Sequence, residues 1–256
     1  MKKIYMSPIA LLLFTAPILS LAEEEKTYPA KGEVEFIPST TVTPPVDPNE
    51  PDPGKPVEPW NPTDPDGKPE PGTTGPLSID YASSFDFGVH EIVNIDQTYF
   101  AKAQYFFNAD GEGKDESTTR PNYVQITDNR GTNAGWRLTV KQLAPFKNED
   151  TINKELTGAK VTLTNSKADS NITLESQTPT VHDVTIEPGE DYLVMDATIG
   201  QGVGTWVDRW EGLTTVDGEQ LNTGVQLFVP GATPRDAVQY YTDFLWTLSD
   251  IPANES

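Results

Sequence analysis

From Leu77 onward, apolar and polar residues alternate with a period of two. Val124 and Ile126 alternate with Gln125 and Thr127, and Trp136, Leu138 and Val140 with Arg137, Thr139 and Lys141. The same holds for Val161 and Leu163, Ile172 and Leu174, Val184 and Ile186, and for Val225, Leu227 and Val229. Successive side chains of an extended strand point to opposite faces, so each run offers one face to a core and one to water. Turn-forming clusters bound the runs, among them Asp128-Asn129-Arg130-Gly131, Glu187-Pro188-Gly189 and Val216-Asp217-Gly218. No segment sustains a 3.6-residue period long enough for a major helix. The expectation is one all-β domain over residues 77–256, a sandwich or barrel-like fold.

A different polymer precedes it. Residues 23–76 hold 14 of the 23 prolines, and proline fixes φ and removes a backbone donor. Residues 44–76 therefore read as an acidic, proline-rich linker, with an extended reach on the order of 100 Å at about 3.1 Å per residue. Trp60 within it either docks a partner or packs transiently on the domain. Residues 23–43 form an N-terminal segment in which Val34 and Phe36 alternate with acids. This pattern suits a half-buried strand too small to fold alone, so the segment is expected to be either disordered or, the favoured alternative, added to the main sheet.

At the start, Lys2 and Lys3 precede an apolar run from Ile9 to Leu21, followed by Ala22. Residues 1–22 read as a secretory signal peptide, since the run is short for a membrane span and contains Pro17. The formal charge is −21 and becomes −23 without those two lysines. Such a chain repels nucleic acid and anionic membrane surfaces, and no other apolar stretch approaches membrane-spanning length. Cysteine is absent, which excludes thiolate metal sites and a cysteine nucleophile. His90 and His182 are too few for a His-rich zinc site and read as structural. No sorting signal or hydrophobic tail follows Asp250, so any retention at a surface is expected to come from the folded domain and not from a covalent link.

Two Trp-x-Leu tripeptides punctuate the domain, Trp136-Arg137-Leu138 and Trp246-Thr247-Leu248, with their tryptophans 110 positions apart. The first follows Val124-Gln125-Ile126-Thr127-Asp128-Asn129-Arg130-Gly131 and Gly135; the second closes the run Phe244-Leu245-Trp246-Thr247-Leu248. With Leu77-Ser78-Ile79-Asp80-Tyr81, Phe85-Asp86-Phe87-Gly88, Leu156-Thr157-Gly158-Ala159, Gly204-Thr205-Trp206 and Val229-Pro230-Gly231 in order, the domain resembles the WxL domain of Gram-positive surface proteins. The resemblance implies non-covalent binding to peptidoglycan. It also implies a multi-protein surface complex with a membrane-anchored WxL-interacting protein and other WxL proteins.

The residues themselves leave two roles open for the motif tryptophans, as core anchors or as an aromatic platform for sugar rings. The apolar residues following Trp136 favour the core for Trp136, Leu138, Trp246 and Leu248. Trp206 and Trp210, beside the glycines at 200, 202 and 204, are the candidates for exposed contact. Those glycines lack the spacing and following helix of a nucleotide-binding loop. Asn108, Asp110 and Glu112 imitate the start of a calcium loop but lack the closing glutamate, and an acidic hairpin loop is the better reading. No catalytic elbow, metalloprotease motif or phosphate loop occurs, and no cofactor, metal or catalytic residue is assigned. The expected function is cell-wall binding at the cell surface by an exported protein. The alternative is a secreted carbohydrate-binding subunit or adhesin recognising exogenous polysaccharide or host matrix, with a glycan-active enzyme third.

Overall fold

The computed structural model describes residues 26–250, so the expected signal peptide at 1–22 lies outside the described residues. The chain divides into two units, Met1–Glu35 and Phe36–Ser256. In the first, residues 26–35 carry neither strand nor helix and are exposed. The added strand expected around Val34 and Phe36 does not form. Phe36 is 88 % exposed, and a lone alternating stretch has no ladder to satisfy its backbone.

The second unit is all-β, as the alternation predicts. Its strands are β1 (Leu77–Ala82), β2 (Gln97–Lys102), β3 (Gln104–Phe107), β4 (Lys114–Arg120), β5 (Tyr123–Asp128), β6 (Trp136–Gln142), β7 (Lys160–Leu163) and β8 (Ser166–Asp169). There follow β9 (Thr180–Val181), β10 (Val184–Ile186), β11 (Asp191–Ala197), β12 (Gly204–Trp210), β13 (Leu213–Val216), β14 (Glu219–Val229) and β15 (Phe244–Ser249). One sheet runs β1-β5-β12-β8 and a second β15-β6-β11-β9; a third runs β10-β7-β14-β13 with β2 also on β14, and β3-β4 is a separate hairpin. All the pairings are antiparallel.

At their edges β1 approaches β15 and β8 approaches β9, so the first two sheets face each other as a sandwich. Val124, Ile126, Trp206 and Trp210 of the first sheet meet Trp136, Leu138, Val140 and Met195 of the second in one core, which Val161, Leu163, Val225 and Leu227 of the third extend.

The other face of the first sheet is not solvated, because the proline-rich segment lies across it. This corrects the extended tether expected over residues 44–76. Val46 is 0 % exposed and packs with Tyr81, Tyr123 and Val207. The Gln125 amide holds the segment at two points: its Oε1 accepts from the Val46 N–H at 2.7 Å and its Nε2 donates to the Pro44 carbonyl at 3.0 Å. Arg209 donates to the Pro48 carbonyl at 2.6 Å, and Arg120 grips Asp47 through Nε and Nη2, both at 2.7 Å. Further on, the Trp60 N–H reaches the Tyr105 carbonyl at 2.8 Å and its ring tilts against Phe107 at 4.8 Å. Prolines cannot build a ladder, but they keep their carbonyls, and side chains of the sheet supply the donors.

Val46, Pro48, Pro51 and Pro59 are buried and the clasps hold the backbone between them, so the strap must detach before a protease can bind it in extended form. Limited proteolysis is therefore expected to yield a resistant fragment that begins between about residues 36 and 45, not at Leu77. Gln125→Ala removes both clasp contacts and leaves buried partners unpaired, at about 1–3 kcal/mol. The strap of that variant is expected to be cut between Val46 and Lys68 while the rest of the unit resists. Mass spectrometry of the fragments decides, and a wild-type fragment starting at Leu77 would refute the strap.

Candidate functional site

The two Trp-x-Leu tripeptides are neighbours in space. β6 and β15 pair antiparallel with Leu138 opposite Leu248, Val140 opposite Trp246 and Gln142 opposite Phe244. These six residues share the inner face of the second sheet. Trp136 and Leu138 are fully buried, whereas Trp246 and Leu248, on the edge strand, are half-buried against the same core. The Trp246 ring stacks on Trp210 across the sandwich, with centroids 6.0 Å apart and planes at 25°.

Local sequence fixes the first motif. Asp128, almost fully buried, takes three bonds from Arg130, one from its backbone N–H and two from its guanidinium, whose Nη2 also donates to the Gly135 carbonyl at 2.7 Å. This ties the end of β5 to the residue that launches β6. Gly135 has φ of +79°, and a Cβ there would lie 2.3 Å from the Ala197 carbonyl oxygen. The Trp136 indole N–H donates to the Gly202 carbonyl at 3.0 Å, and a Cβ on Gly202 would strike that indole at 2.6 Å. The glycines beside β12 thus seat a tryptophan; they do not open a surface.

Trp206 and Trp210 are not exposed, which corrects the expectation for both. They are 2 % and 0 % exposed, because β12 lies between β5 and β8 with one face on the core and the other under the strap. The Trp206 indole N–H donates to the Val203 carbonyl at 2.9 Å, while the Trp210 indole N–H has no partner among the described residues. Between them on the same face sits Asp208, which is 0 % exposed, and neither of its carboxylate oxygens makes a well-formed hydrogen bond. Burial pushes its carboxyl well above the usual carboxylate range, against the pull of the Lys167 backbone N–H, and the Asp183 charge adds to the rise.

The middle residues of the motifs point the other way. Arg137 and Thr247 lie on the outer face of the second sheet with Thr139, Lys141 and Leu245. Lys141 pairs with Asp191 at 2.6 Å, and His182 contacts Asp196 at 2.6 Å on the same sheet. Arg137 stands opposite Asp196 on one side and Ser249 on the other, and its buried Nε is without a partner among the described residues. This face is mixed in character: Leu245 and Thr247 are exposed, and Arg137, Thr139 and Lys141 are half-buried. Among the described residues no group of three or more His, Asp or Glu side chains is placed to hold a metal ion. Asn108, Asp110 and Glu112 form the exposed β3–β4 turn, in which the Asp110 carboxylate accepts from the Glu112 N–H at 2.9 Å. His90 stacks on Tyr99 at 4.0 Å.

A protein-family model described as WxL domain surface cell wall-binding matches residues 23–252. No curated protein and no solved structure matches the chain.

Emptying the Trp136 site is expected to cost about 3–5 kcal/mol, a large share of a domain's stability. Trp246→Ala should cost less, since that ring is half-buried. Urea denaturation measures both, and an unchanged midpoint with lost wall binding would make these tryptophans ligand contacts.

For Asp208 the folded state holds a proton that the unfolded chain releases near 3.8. Stability contributed by this group is full below that value and falls as pH rises toward the raised folded pKa. Asp208→Asn is expected to flatten the decline in denaturation midpoint between pH 4 and 8 and to be the more stable protein at pH 7. A parallel pair of profiles would refute the neutral buried acid.

Proposed function

The chain belongs to the WxL domain surface cell wall-binding family, and from that premise we propose that it is held non-covalently on peptidoglycan at a Gram-positive cell surface, as one subunit of a multi-protein complex. The observation that carries the reading is the family match across residues 23–252, which takes in the strap and both motif strands. The motif tryptophans and leucines act here by holding β6 and β15 together. Contact with the wall falls to the outward side chains of the same strands, Arg137, Thr139, Lys141, Leu245 and Thr247. A flat strand surface with hydroxyl, aliphatic and cationic groups suits an extended polymer of sugars and short peptides. Among the described residues no helix is long and apolar enough to cross a membrane; the proposed companions in the complex are a membrane-anchored WxL-interacting protein and larger WxL proteins.

Net charge does not drive this contact. At −21 the chain meets anionic wall polymers of the same sign, and the long-range term opposes approach. Salt shortens the Debye length from about 10 Å at 0.1 M to about 3 Å at 1 M, which weakens repulsion more than hydrogen bonding or packing. Pull-down on purified sacculi with chelator present is expected to hold or improve as salt rises, and to survive removal of teichoic acids. Release at high salt would place binding on a local basic patch, with Arg130, Arg137 and Lys141 the residues to replace. Failure to sediment with sacculi at any salt, alongside binding to exogenous polysaccharide, would favour the adhesin reading.

A further inference from the structure

β15 is an edge strand, and its free edge belongs to the second Trp-x-Leu motif. The Leu143 N–H donates to the Asp243 carbonyl at 2.9 Å, so the odd-numbered residues of this ladder are the hydrogen-bonded pairs. In an antiparallel pair the alternate residues turn their N–H and C=O groups away from the neighbour. Phe244, Trp246 and Leu248 therefore present three N–H and three C=O groups outward. None of these six makes a hydrogen bond with another described residue.

The other sheet edges are guarded. The outer edge of β1 is covered by residues 73–76: the Thr73 N–H donates to the Ile79 carbonyl at 2.8 Å, and the Thr73 hydroxyl accepts from the Ile79 N–H at 2.9 Å. β9 has two residues and β10 three; β8 carries Lys167 and Asp169, and β2 ends on Lys102. β13 is uncharged but only four residues long. Edges are normally blunted by shortness, charge, proline or a cover. β15, Phe-Leu-Trp-Thr-Leu-Ser, has six residues, no charge and no proline, and no cover among the described residues.

We infer that the β15 edge is a docking site for an extended segment of a partner protein, added as a further strand of the second sheet. Charge selects the partner. Asp243 and Asp250 bracket the uncharged strand, both are exposed, and neither is in an ion pair with another described residue, although the field of Asp250 reaches Arg130. A second copy pairing antiparallel through its own β15 would set these aspartates against each other, with −21 on each chain adding repulsion. A complementary segment has a centre of alternating apolar and threonine residues and a lysine or arginine at each end. Main-chain bonds give such a complex its affinity, and its apolar side chains cover the half-buried Trp246 and Leu248 from the side. The inference gives the proposed surface complex a contact. It is read on amides, not on sacculi, so either reading can fail without the other.

The probe is the synthetic peptide Lys-Thr-Val-Thr-Val-Thr-Val-Thr-Lys, added to the full chain and followed by residue-resolved amide exchange. Exchange at Phe244, Trp246 and Leu248 is expected to slow at least about tenfold at saturation, while Leu245 and Thr247, already bonded to β6, change little. The same peptide with glutamate at both ends should bind about tenfold more weakly, the scale of two exposed charge contacts reversed. Asp243→Lys with Asp250→Lys should invert that preference, with the thermal midpoint showing the fold intact. Three results would overturn the inference: no protection at these amides, equal binding of both peptides, or protection already present without peptide. In the last case, dependence on protein concentration would identify a second copy as the occupant, and independence a cover from the same chain.

Discussion

The antiparallel pairing of β6 with β15 closes the fold. It brings Leu248, near the end of the described chain, opposite Leu138, 110 residues earlier. Closing a loop of that length costs more entropy than closing a hairpin, though only logarithmically more. The return comes from burial: Trp136, Leu138, Val140, Trp246 and Leu248 line one inner face, and Trp246 reaches across to stack on Trp210. Without β15 the inner face of β6 would lose its neighbour, and the sandwich would open at the corner where β1 approaches β15. A bare tripeptide carries little information in itself. Its meaning comes from occurring twice, on strands that must find one another.

Much of this was legible in the sequence. Alternation at Val124 and Ile126, and at Trp136, Leu138 and Val140, named the all-β class and the inward faces, because a period of two has a single geometric reading. What escaped was any face buried by something other than a sheet. Trp206 and Trp210 flank glycines and look like surface aromatics, yet β12 is covered on both sides. Continuous burial from Thr205 to Trp210 has no periodicity to detect, and only the hydrophilic Asp208 and Arg209 disguise it. The strap was misread for a related reason. Proline content argues correctly that residues 44–76 make no named strand, only isolated bridges such as Val46 with Pro56 and Pro59 with Phe106, but packing needs only carbonyls and ring carbons. The clue lay in the partner strand, where Gln125 and Thr127 sit at outward positions with apolar neighbours on either side.

That outward face explains a cluster of buried polar groups that would otherwise be costly. Asp80 is buried, and burial pushes its carboxyl up even though Thr127, Ser78 and Gln125 all donate to it. The network serves as a polar adhesive: Gln125 spends one N–H on Asp80 and its remaining groups on the strap. Its satisfaction depends on the strap being in place, since withdrawing Pro44 and Val46 would expose Gln125 and Asp80 to water in an otherwise packed sheet. Strap and sheet are thus one cooperative unit, consistent with a family match that begins well before Leu77.

The motif strands divide their labour by direction. Side chains of Trp and Leu point inward and set stability; side chains at the middle position point outward and meet whatever the sheet meets; the backbone of the edge strand points sideways. The middle residue differs between the two motifs, Arg137 in one and Thr247 in the other, although the strands are paired and their inner faces continuous. A residue that contributes nothing to the inner face is free to differ, and the two choices give the outer face a cation beside a hydroxyl. The sideways direction is the one that sequence patterning cannot report, because every residue except proline carries the same N–H and C=O. Only the fold tells which strand ends a sheet. Among the described residues β15 ends one without a charge, a proline or a cover, and on the inference drawn above that is where another chain would extend the sheet.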